Sequence, residues 1–178
     1  MQLLDLSQTI AVDMPRFNPT WPTPTITPFL SHTQSAFSGQ YSGVTVEISF
    51  AQFVTSVGTY LDSPFHFHPD GASIERLDLS KLVLPGVVVH LAGLTAQAPI
   101  GPDVLEGVEI AGRAVLFDTG WSNYWGLDEY FTHPFLTEAL AVALRDGGAQ
   151  LVGIDTLIAD DPHNPRRPFM RRFCTPMC

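Results

Sequence analysis

The chain has 178 residues, of which 45% are hydrophobic and 15% charged, and its formal net charge is −9. This composition is typical of a globular domain with a real hydrophobic core, not of a disordered chain. The acidic balance argues against a nucleic-acid partner or an anionic membrane partner. No long apolar run is present, so no membrane-spanning segment is predicted, and the early acidic residue Asp5 argues against a signal peptide.

The N-terminal region is rich in proline, threonine and serine. Because proline fixes φ and removes a backbone donor, we expect an extended arm with short edge strands over residues 1–40. Alternating apolar and polar residues at 43–50 then predict a strand with one face in water.

Three apolar segments, at residues 86–91, 114–118 and 149–155, predict buried strands. Residues 137–145 predict a helix between the last two strands, with Thr137 as its N-cap. The strand–helix–strand order predicts a single α/β domain over residues 1–178 in which strands outnumber helices.

The two cysteines, Cys174 and Cys178, both lie at the end of the sequence. Two cysteines exclude a disulfide framework and are too few for a zinc knuckle. We therefore expect a reducing, cytoplasmic compartment. The sequence also has no nucleophile elbow, no phosphate-binding loop and no dinucleotide-binding glycine fingerprint.

The densest group of reactive side chains comprises Asp62, His66 and His68. Carboxylate and imidazole groups are ligands for zinc, manganese and similar ions. The same pair of groups also serves as a general base with its orienting partner. Pro64 predicts a rigid turn between them. The alternative is an Asp–His hydrogen bond that only holds a loop in place.

Further acidic residues follow the later predicted strands. Asp118 and Asp155 each end a strand, where α/β sheets tend to place their sites, although each could instead cap the following turn. Asp160 lies in a turn-rich loop with Asp161 and His163, and a solvated acidic loop is the favoured interpretation for the last two.

One segment of the sequence resembles the signature of a known family. It is Gly58-Thr59-Tyr60-Leu61-Asp62-Ser63-Pro64-Phe65-His66, which resembles the signature His-x-Gly-Thr-His-x-Asp-x-Pro-x-His of the cyclase family of kynurenine-formamidase-like hydrolases. Further segments match the family in order up to about residue 169, among them Asp5-Leu6-Ser7, Pro69-Asp70-Gly71 and Gly153-Ile154-Asp155-Thr156. The chain is similar to a branch with a Gly-Thr-Tyr-Leu-Asp core.

The resemblance implies a fold and an activity. The fold is a swivelling β/β/α domain of the α/β class, with a mixed sheet and few helices. The activity is hydrolysis of a C–N amide bond in a small molecule, as in N-formylkynurenine, by a homo-oligomer. The cofactor is a divalent metal, zinc or manganese, if the site is intact, and such an ion activates a water molecule.

The resemblance also assigns roles to residues. It makes Asp62 a metal ligand and a catalytic residue, and His66 the acid/base. The scaffold of the site comprises Gly58, Thr59, Tyr60 and Pro64. The candidates for substitute or supporting ligands are His68, Asp155 and Asp160.

Two departures from the family pattern concern the metal and the C-terminus. The positions of the first two signature histidines hold Ser56 and Tyr60, whose neutral hydroxyls bind zinc weakly. The family's later histidine, glutamate and closing C-terminal strand have no counterpart in residues 169–178, so residues 170–178 are expected to be an aberrant tail. A frame shift near residue 169 or a natural truncation would explain it.

The missing strand has two consequences. It would expose apolar surface and a sheet edge, which predicts marginal stability unless a partner chain covers them. It also leaves a second function open, that of a catalytically inactive family member or small-ligand binding module.

Overall fold

The structure of the chain is a computed structural model that describes residues 4–174. The described chain divides into two compact units, one up to Tyr60 and one from Leu61 onward. None of the helices in residues 4–174 has the length and apolar character needed to cross a membrane.

Strands outnumber helices, and the fold is of the α/β class with few helices and small sheets, as predicted. The strands are β1 (Thr25–Leu30), β2 (Ile48–Gln52), β3 (Gly86–His90), β4 (Pro99–Ile100), β5 (Ala114–Asp118), β6 (Phe135–Leu136) and β7 (Leu151–Ile154). The helices are α1 (His32–Phe37), α2 (Glu138–Asp146) and α3 (Pro168–Phe173), and short 3-10 turns lie in the connections.

The first unit contains an antiparallel ribbon of β1 and β2 together with α1. The predicted strand at 43–50 begins later, since only residues from position 48 onward pair with β1. Helix α1 interrupts the segment predicted to be extended. It forms because Ser31 and Gln34 make a capping box, in which each backbone N–H donates to the other residue's side chain.

The core of the second unit is a parallel sheet in the order β3-β5-β7. All three strands lie within the segments that the apolar runs predicted. Strand β5 is central, and its residues Val115 and Phe117 are buried. A strand covered on both faces has a nearly continuous apolar sequence, which is why this one was visible in the sequence.

Helix α2 also forms where it was predicted. Thr137 is its N-cap, and the Thr137 hydroxyl accepts a hydrogen bond from the Leu140 N–H at 3.3 Å. Its apolar stripe of Leu140, Ala141 and Leu144 is fully buried in the same hydrophobic cluster as β5. Gly147 caps its C-terminal end.

Helix α3 follows β7 and its loop, and it packs against α2. Phe169 is 1% exposed within the core cluster, and its ring stacks on Phe173 with the ring centroids 6.0 Å apart. The Asp160 carboxylate accepts hydrogen bonds from the backbone N–H groups of Phe169 at 2.7 Å and Met170 at 3.1 Å. Part of the tail expected to be aberrant is therefore an ordered helix, and residues 175–178 lie outside the described residues.

Replacing Phe169 with alanine tests this packing. Phe169→Ala is expected to lower the free energy of unfolding by about 3–5 kcal/mol, because it deletes a buried ring. The control Phe37→Ala removes a ring that is 85% exposed and should change that energy by less than about 0.5 kcal/mol. Urea denaturation followed by circular dichroism measures both. Equal effects of the two substitutions would show that α3 does not belong to the core.

Candidate functional site

The segment that carries the predicted catalytic residues is a tightly bonded turn. Pro64 begins a 3-10 turn that ends at His66, and the His66 N–H donates to the Ser63 carbonyl at 2.9 Å. The His68 N–H donates to the Pro64 carbonyl at 3.0 Å. Proline suits the first position of such a turn because its fixed φ is already helical. The rigid turn predicted at Pro64 is confirmed.

Gly71 closes this turn by bringing the chain back against Pro64. The Gly71 N–H donates to the His68 carbonyl at 2.8 Å, and the Phe65 N–H donates to the Ala72 carbonyl at 3.1 Å. A Cβ atom at position 71 would lie 2.7 Å from the Pro64 carbonyl carbon and 2.9 Å from the Phe65 nitrogen. Backbone cannot move aside as a flexible side chain can, so only glycine fits here.

Within this turn, Asp62 and His66 contact one another. His66 Nδ1 lies 3.3 Å from Asp62 Oδ1, and the side chains are 45% and 16% exposed, respectively. Burial raises the pKa of Asp62, and the charge of His66 opposes that shift. A carboxylate on Nδ1 orients an imidazole ring and leaves Nε2 to exchange protons. The structure thus brings together the two residues expected to be catalytic.

His68 faces a different partner. Its Nε2 atom lies 3.2 Å from the Arg171 carbonyl oxygen in α3. Because a carbonyl only accepts, Nε2 is the donor in this hydrogen bond and carries the proton. That nitrogen is therefore engaged in holding α3, and it is not free to act as a metal ligand.

Asp155 and Asp160 both accept hydrogen bonds from backbone N–H groups. Asp155 accepts hydrogen bonds from the Thr119 N–H at 3.0 Å, the Thr119 hydroxyl at 2.5 Å and the Ser122 N–H at 3.3 Å. Asp160 is fully buried and caps α3. Burial raises the pKa of Asp160, and its hydrogen bonds to the α3 backbone oppose that shift.

Asp118 also has a structural partner. It lies at the end of β5 and contacts His90 at the end of β3, with 2.7 Å between Asp118 Oδ2 and His90 Nδ1. Its other oxygen accepts a hydrogen bond from the Gly120 N–H at 3.2 Å. Asp118 therefore caps the turn that follows β5, which was one of the two alternatives predicted for it.

The scaffold residues on the N-terminal side lie in the first unit. Gly58 has a φ of +67°, a conformation that favours glycine. The Thr59 hydroxyl accepts a hydrogen bond from the Gln8 N–H at 3.0 Å, which ties the loop to the N-terminal arm. Tyr60 ends this unit and is 38% exposed.

The donors in the described residues do not fit a zinc or manganese site. Nowhere in residues 4–174 do three or more His, Cys, Asp or Glu side chains gather so that they could hold an ion. A catalytic zinc site needs three protein ligands, and Asp62 with His66 supplies two. Ser56 and Tyr60 hold the other signature positions with neutral hydroxyls. Supporting roles of Asp155 and Asp160 toward a metal stay predictions, and both carboxylates already accept several hydrogen bonds.

Two buried groups near these residues were not predicted. Cys174, at the end of α3, is partly buried, and burial together with the charges of Asp62 and Asp160 raises its pKa to about 11. The thiol therefore stays protonated. His133 is fully buried, and its Nδ1 lies 2.8 Å from the Pro134 carbonyl, while Nε2 has no partner among the described residues. Burial lowers the pKa of His133, which keeps the ring neutral.

A basic hollow on α3 was also missed. Its volume is about 350 Å³, and it is lined by His68, Glu138, Arg166, Pro168, Arg171 and Arg172. The sequence did contain a signal for it, because two Arg-Arg pairs stand out near the end of an acidic chain.

The structure thus has a half-exposed histidine beside a partly buried carboxylate, a pair that can serve as a general base with its orienting partner. The Cyclase family model matches residues 4–161. The chain belongs to the Cyclase family, as the resemblance predicted.

Several known proteins are similar to this chain in sequence or in structure. A kynurenine formamidase of Geobacillus thermodenitrificans (strain NG80-2) is 30% identical over 154 residues, which cover 85% of this chain and 67% of that protein. A structure described as a predicted metal-dependent hydrolase from Bacillus stearothermophilus is 25% identical with a TM-score of 0.70, over 96% of this chain and 76% of that one. An isatin hydrolase structure shares the fold, with a TM-score of 0.78 at 16% identity, over 96% of this chain and 73% of that one.

The close approach at Gly71 gives a first prediction for the site. Gly71→Ala is expected to lower the free energy of unfolding by about 1–3 kcal/mol, because the added methyl group overlaps the backbone of Pro64 and Phe65. Gly86→Ala is the control, since the nearest atom to its Cβ would be the Ala114 oxygen at 3.9 Å. Chemical denaturation measures both variants. If Gly71→Ala were as stable as the control variant, the backbone at position 71 would not lie as close to Pro64 and Phe65 as the structure places it.

The partly buried carboxylate of Asp62 gives a second prediction for the site. The folded-state pKa of Asp62 lies above its unfolded value, so the stabilising contribution of this group is complete below about pH 4 and is lost as the pH rises through the raised pKa. Asp62→Asn cannot ionise, so it should melt at a higher temperature than the native chain at pH 7 and lose that advantage at acid pH. Each kcal/mol gained corresponds to roughly 2–4 °C.

The exposed Asp13 provides the control for this comparison. Asp13→Asn should melt within about 1 °C of the native chain across the same pH series, because a surface substitution has little effect on stability. Thermal unfolding between pH 4 and pH 8 measures all three proteins. If Asp62→Asn melted at a lower temperature than the native chain at pH 8, burial of the ionised Asp62 carboxylate would not be destabilising, and the prediction would be wrong.

Proposed function

We propose that the chain hydrolyses the C–N bond of a small-molecule amide, with an arylformamide such as N-formylkynurenine as the type of substrate. The observation that carries this proposal is the 3.3 Å contact between Asp62 and the half-exposed His66. Membership of the Cyclase family supports it, as does the similarity to a kynurenine formamidase.

In the proposed reaction, His66 acts as the general base. Its Nε2 takes a proton from a water molecule, whose oxygen forms a bond to the formyl carbon. Asp62, ionised above its raised pKa, stabilises the imidazolium through Nδ1. The C–N bond then breaks as His66 returns the proton to the leaving nitrogen, and the products are formate and an amine.

Zinc and manganese take no part in this mechanism. Structural relatives are described as metal-dependent hydrolases, and the resemblance implies such an ion. Among residues 4–174, however, Asp62 and His66 do not gather with a third ligand, and His68 Nε2 already donates to the Arg171 carbonyl. The proton transfers are therefore assigned to the Asp62–His66 pair alone.

A second candidate function is a small-ligand binding module without turnover. The incomplete set of metal ligands among residues 4–174 favours it, because the metal-assisted hydrolysis that the resemblance implies needs a complete set. A complete absence of amide hydrolysis by the folded chain would select this function over the first.

We also propose a cytoplasmic homo-oligomer. The sparse and terminal cysteines support a reducing compartment. Several large apolar side chains are strongly exposed, including Phe29 at 72% and Val83 at 85%, and β3 and β7 are the open edges of the parallel sheet. Burying such surface against a second copy would lower the aggregation risk of the single chain.

The catalytic assignment predicts that His66→Ala lowers kcat/KM for N-formylkynurenine by about 10²–10⁴-fold, the usual contribution of a general base. His32→Ala is the control, because His32 is exposed in the first unit and should leave the rate unchanged. Release of formate measures the reaction. Dialysis against EDTA should leave the rate unaltered, since the proposed steps need no ion.

Two results would overturn this assignment. Equal rates for His66→Ala and the native chain would remove His66 from the chemistry. A rate that disappears on dialysis and returns with added zinc or manganese would show that an ion acts in the reaction after all.

A further inference from the structure

The carboxylate of Asp62 holds the His66 ring only loosely. His66 Nδ1 lies 3.3 Å from Asp62 Oδ1, whereas a hydrogen bond between charged partners is about 2.7–2.9 Å long. The same chain contains the tighter form, since His90 Nδ1 lies 2.7 Å from Asp118 Oδ2. Because the His66 side chain is also 45% exposed, the Asp62 contact by itself leaves the imidazole room to rotate.

Phe67 makes a second contact with the same ring. The ring centroids of His66 and Phe67 are 4.7 Å apart, and the two rings are inclined at 68° in an edge-to-face arrangement. Aromatic pairs favour this arrangement at centroid distances of about 4.5–7 Å. The two contacts act differently, because the carboxylate attracts one nitrogen atom whereas the phenyl ring limits rotation of the whole imidazole.

Phe67 is itself held by the turn that carries His66. The Phe67 N–H donates to the Pro64 carbonyl at 3.2 Å, and the His68 N–H donates to the same carbonyl at 3.0 Å. The Phe67 side chain is half-buried, whereas that of Phe65 is 54% exposed. The phenyl ring of Phe67 therefore projects from a fixed backbone and offers the imidazole a stable surface to pack against.

We propose that Phe67 is a positioning residue that keeps Nδ1 of His66 directed at Asp62 and Nε2 available to the reacting water. The proposal rests on the proposed function, in which Nε2 takes and returns the proton. Half a turn about the Cβ–Cγ bond would exchange Nδ1 with Cδ2, and Asp62 would lose its partner. A carboxylate that accepts from Nδ1 holds a neutral imidazole in the Nδ1–H form, so this rotation would also let the proton move to Nε2 and remove the base.

Nitrogen-15 NMR of the imidazole at pH 8, above the usual titration range of histidine, tests the ring position without any substrate. The signals of His66 are those missing from His66→Ala, and the native chain should show His66 mainly in the Nδ1–H form. Phe67→Leu removes the ring and should raise the share of the Nε2–H form about twofold or more. Phe67→Tyr retains the ring and should match the native chain. Phe37→Leu is the control, because that ring is 85% exposed and lies in the first unit.

Formate release from N-formylkynurenine by the same variants separates positioning from substrate binding. Phe67→Leu should lower kcat roughly 10- to 100-fold and change KM by less than about twofold, because a misplaced base slows the bound complex without weakening its formation. Phe67→Tyr should restore kcat to within about twofold of the native value. Circular dichroism checks the fold of every variant.

The proposal is overturned if Phe67→Leu has the tautomer populations of the native chain, or if His66 of the native chain is mainly in the Nε2–H form. It is also overturned if the kcat of Phe67→Leu equals that of Phe37→Leu, or if the loss appears in KM alone. A chain that shows the expected tautomers in every variant but releases no formate would support the positioning by Phe67 and refute the proposed hydrolysis.

Discussion

The Asp160 carboxylate and the two backbone N–H groups of α3 form the contact on which the second unit depends. Unpaired donors at the start of a helix are costly to bury, and Asp160 satisfies two of them from the loop after β7. This contact fixes where α3 begins, which in turn places Phe169 in the core and the Arg171 carbonyl beside His68. Asp160, which the sequence offered as a substitute or supporting ligand, thus positions α3 beside the turn that carries His68.

Asp62 illustrates a conflict between stability and function. Burial makes its ionised form unfavourable, and the nearby thiol of Cys174 stays protonated and neutral, so it adds no second negative charge. His66 is the one group that favours the ionised carboxylate, and it does so only when it is itself protonated. The pair is therefore coupled, because the state in which His66 has accepted a proton is also the state in which the Asp62 charge is best tolerated. Functional sites often contain an ionisable group that destabilises the fold and at the same time favours one protonation state of a neighbouring residue.

Local patterns in the sequence predicted local structure well. The apolar runs located β3, β5 and β7, Thr137 located the start of α2, and the Pro64 and Gly71 signals located the turn that carries His66. Asp62 and His66 are four residues apart across that turn, so their contact needed no long-range information.

What the sequence could not predict was contact between distant segments. The hydrogen-bond partner of His68 lies in α3. Asp155 accepts hydrogen bonds from the loop after β5, and the two segments are close only because β7 pairs with β5 in the sheet. Cys174 was considered only as part of a tail, because its position beside Asp62 depends on how α3 packs. Helix α1 was a local miss, since its capping box at Ser31 and Gln34 was visible in the sequence but lay in a proline-rich region.

The parallel arrangement of β3, β5 and β7 has a kinetic consequence. Parallel neighbours cannot be joined by a hairpin, so each pairing must close a long crossover before any ladder hydrogen bond forms. The turn from Pro64 to Gly71 and helix α2 involve only nearby residues and can assemble early. Strand β5, by contrast, gains its second neighbour only after β7 has been synthesised. On the ribosome, the central strand would therefore spend time with one side unpaired, and assembly of the sheet would set the pace at which this protein reaches its native state.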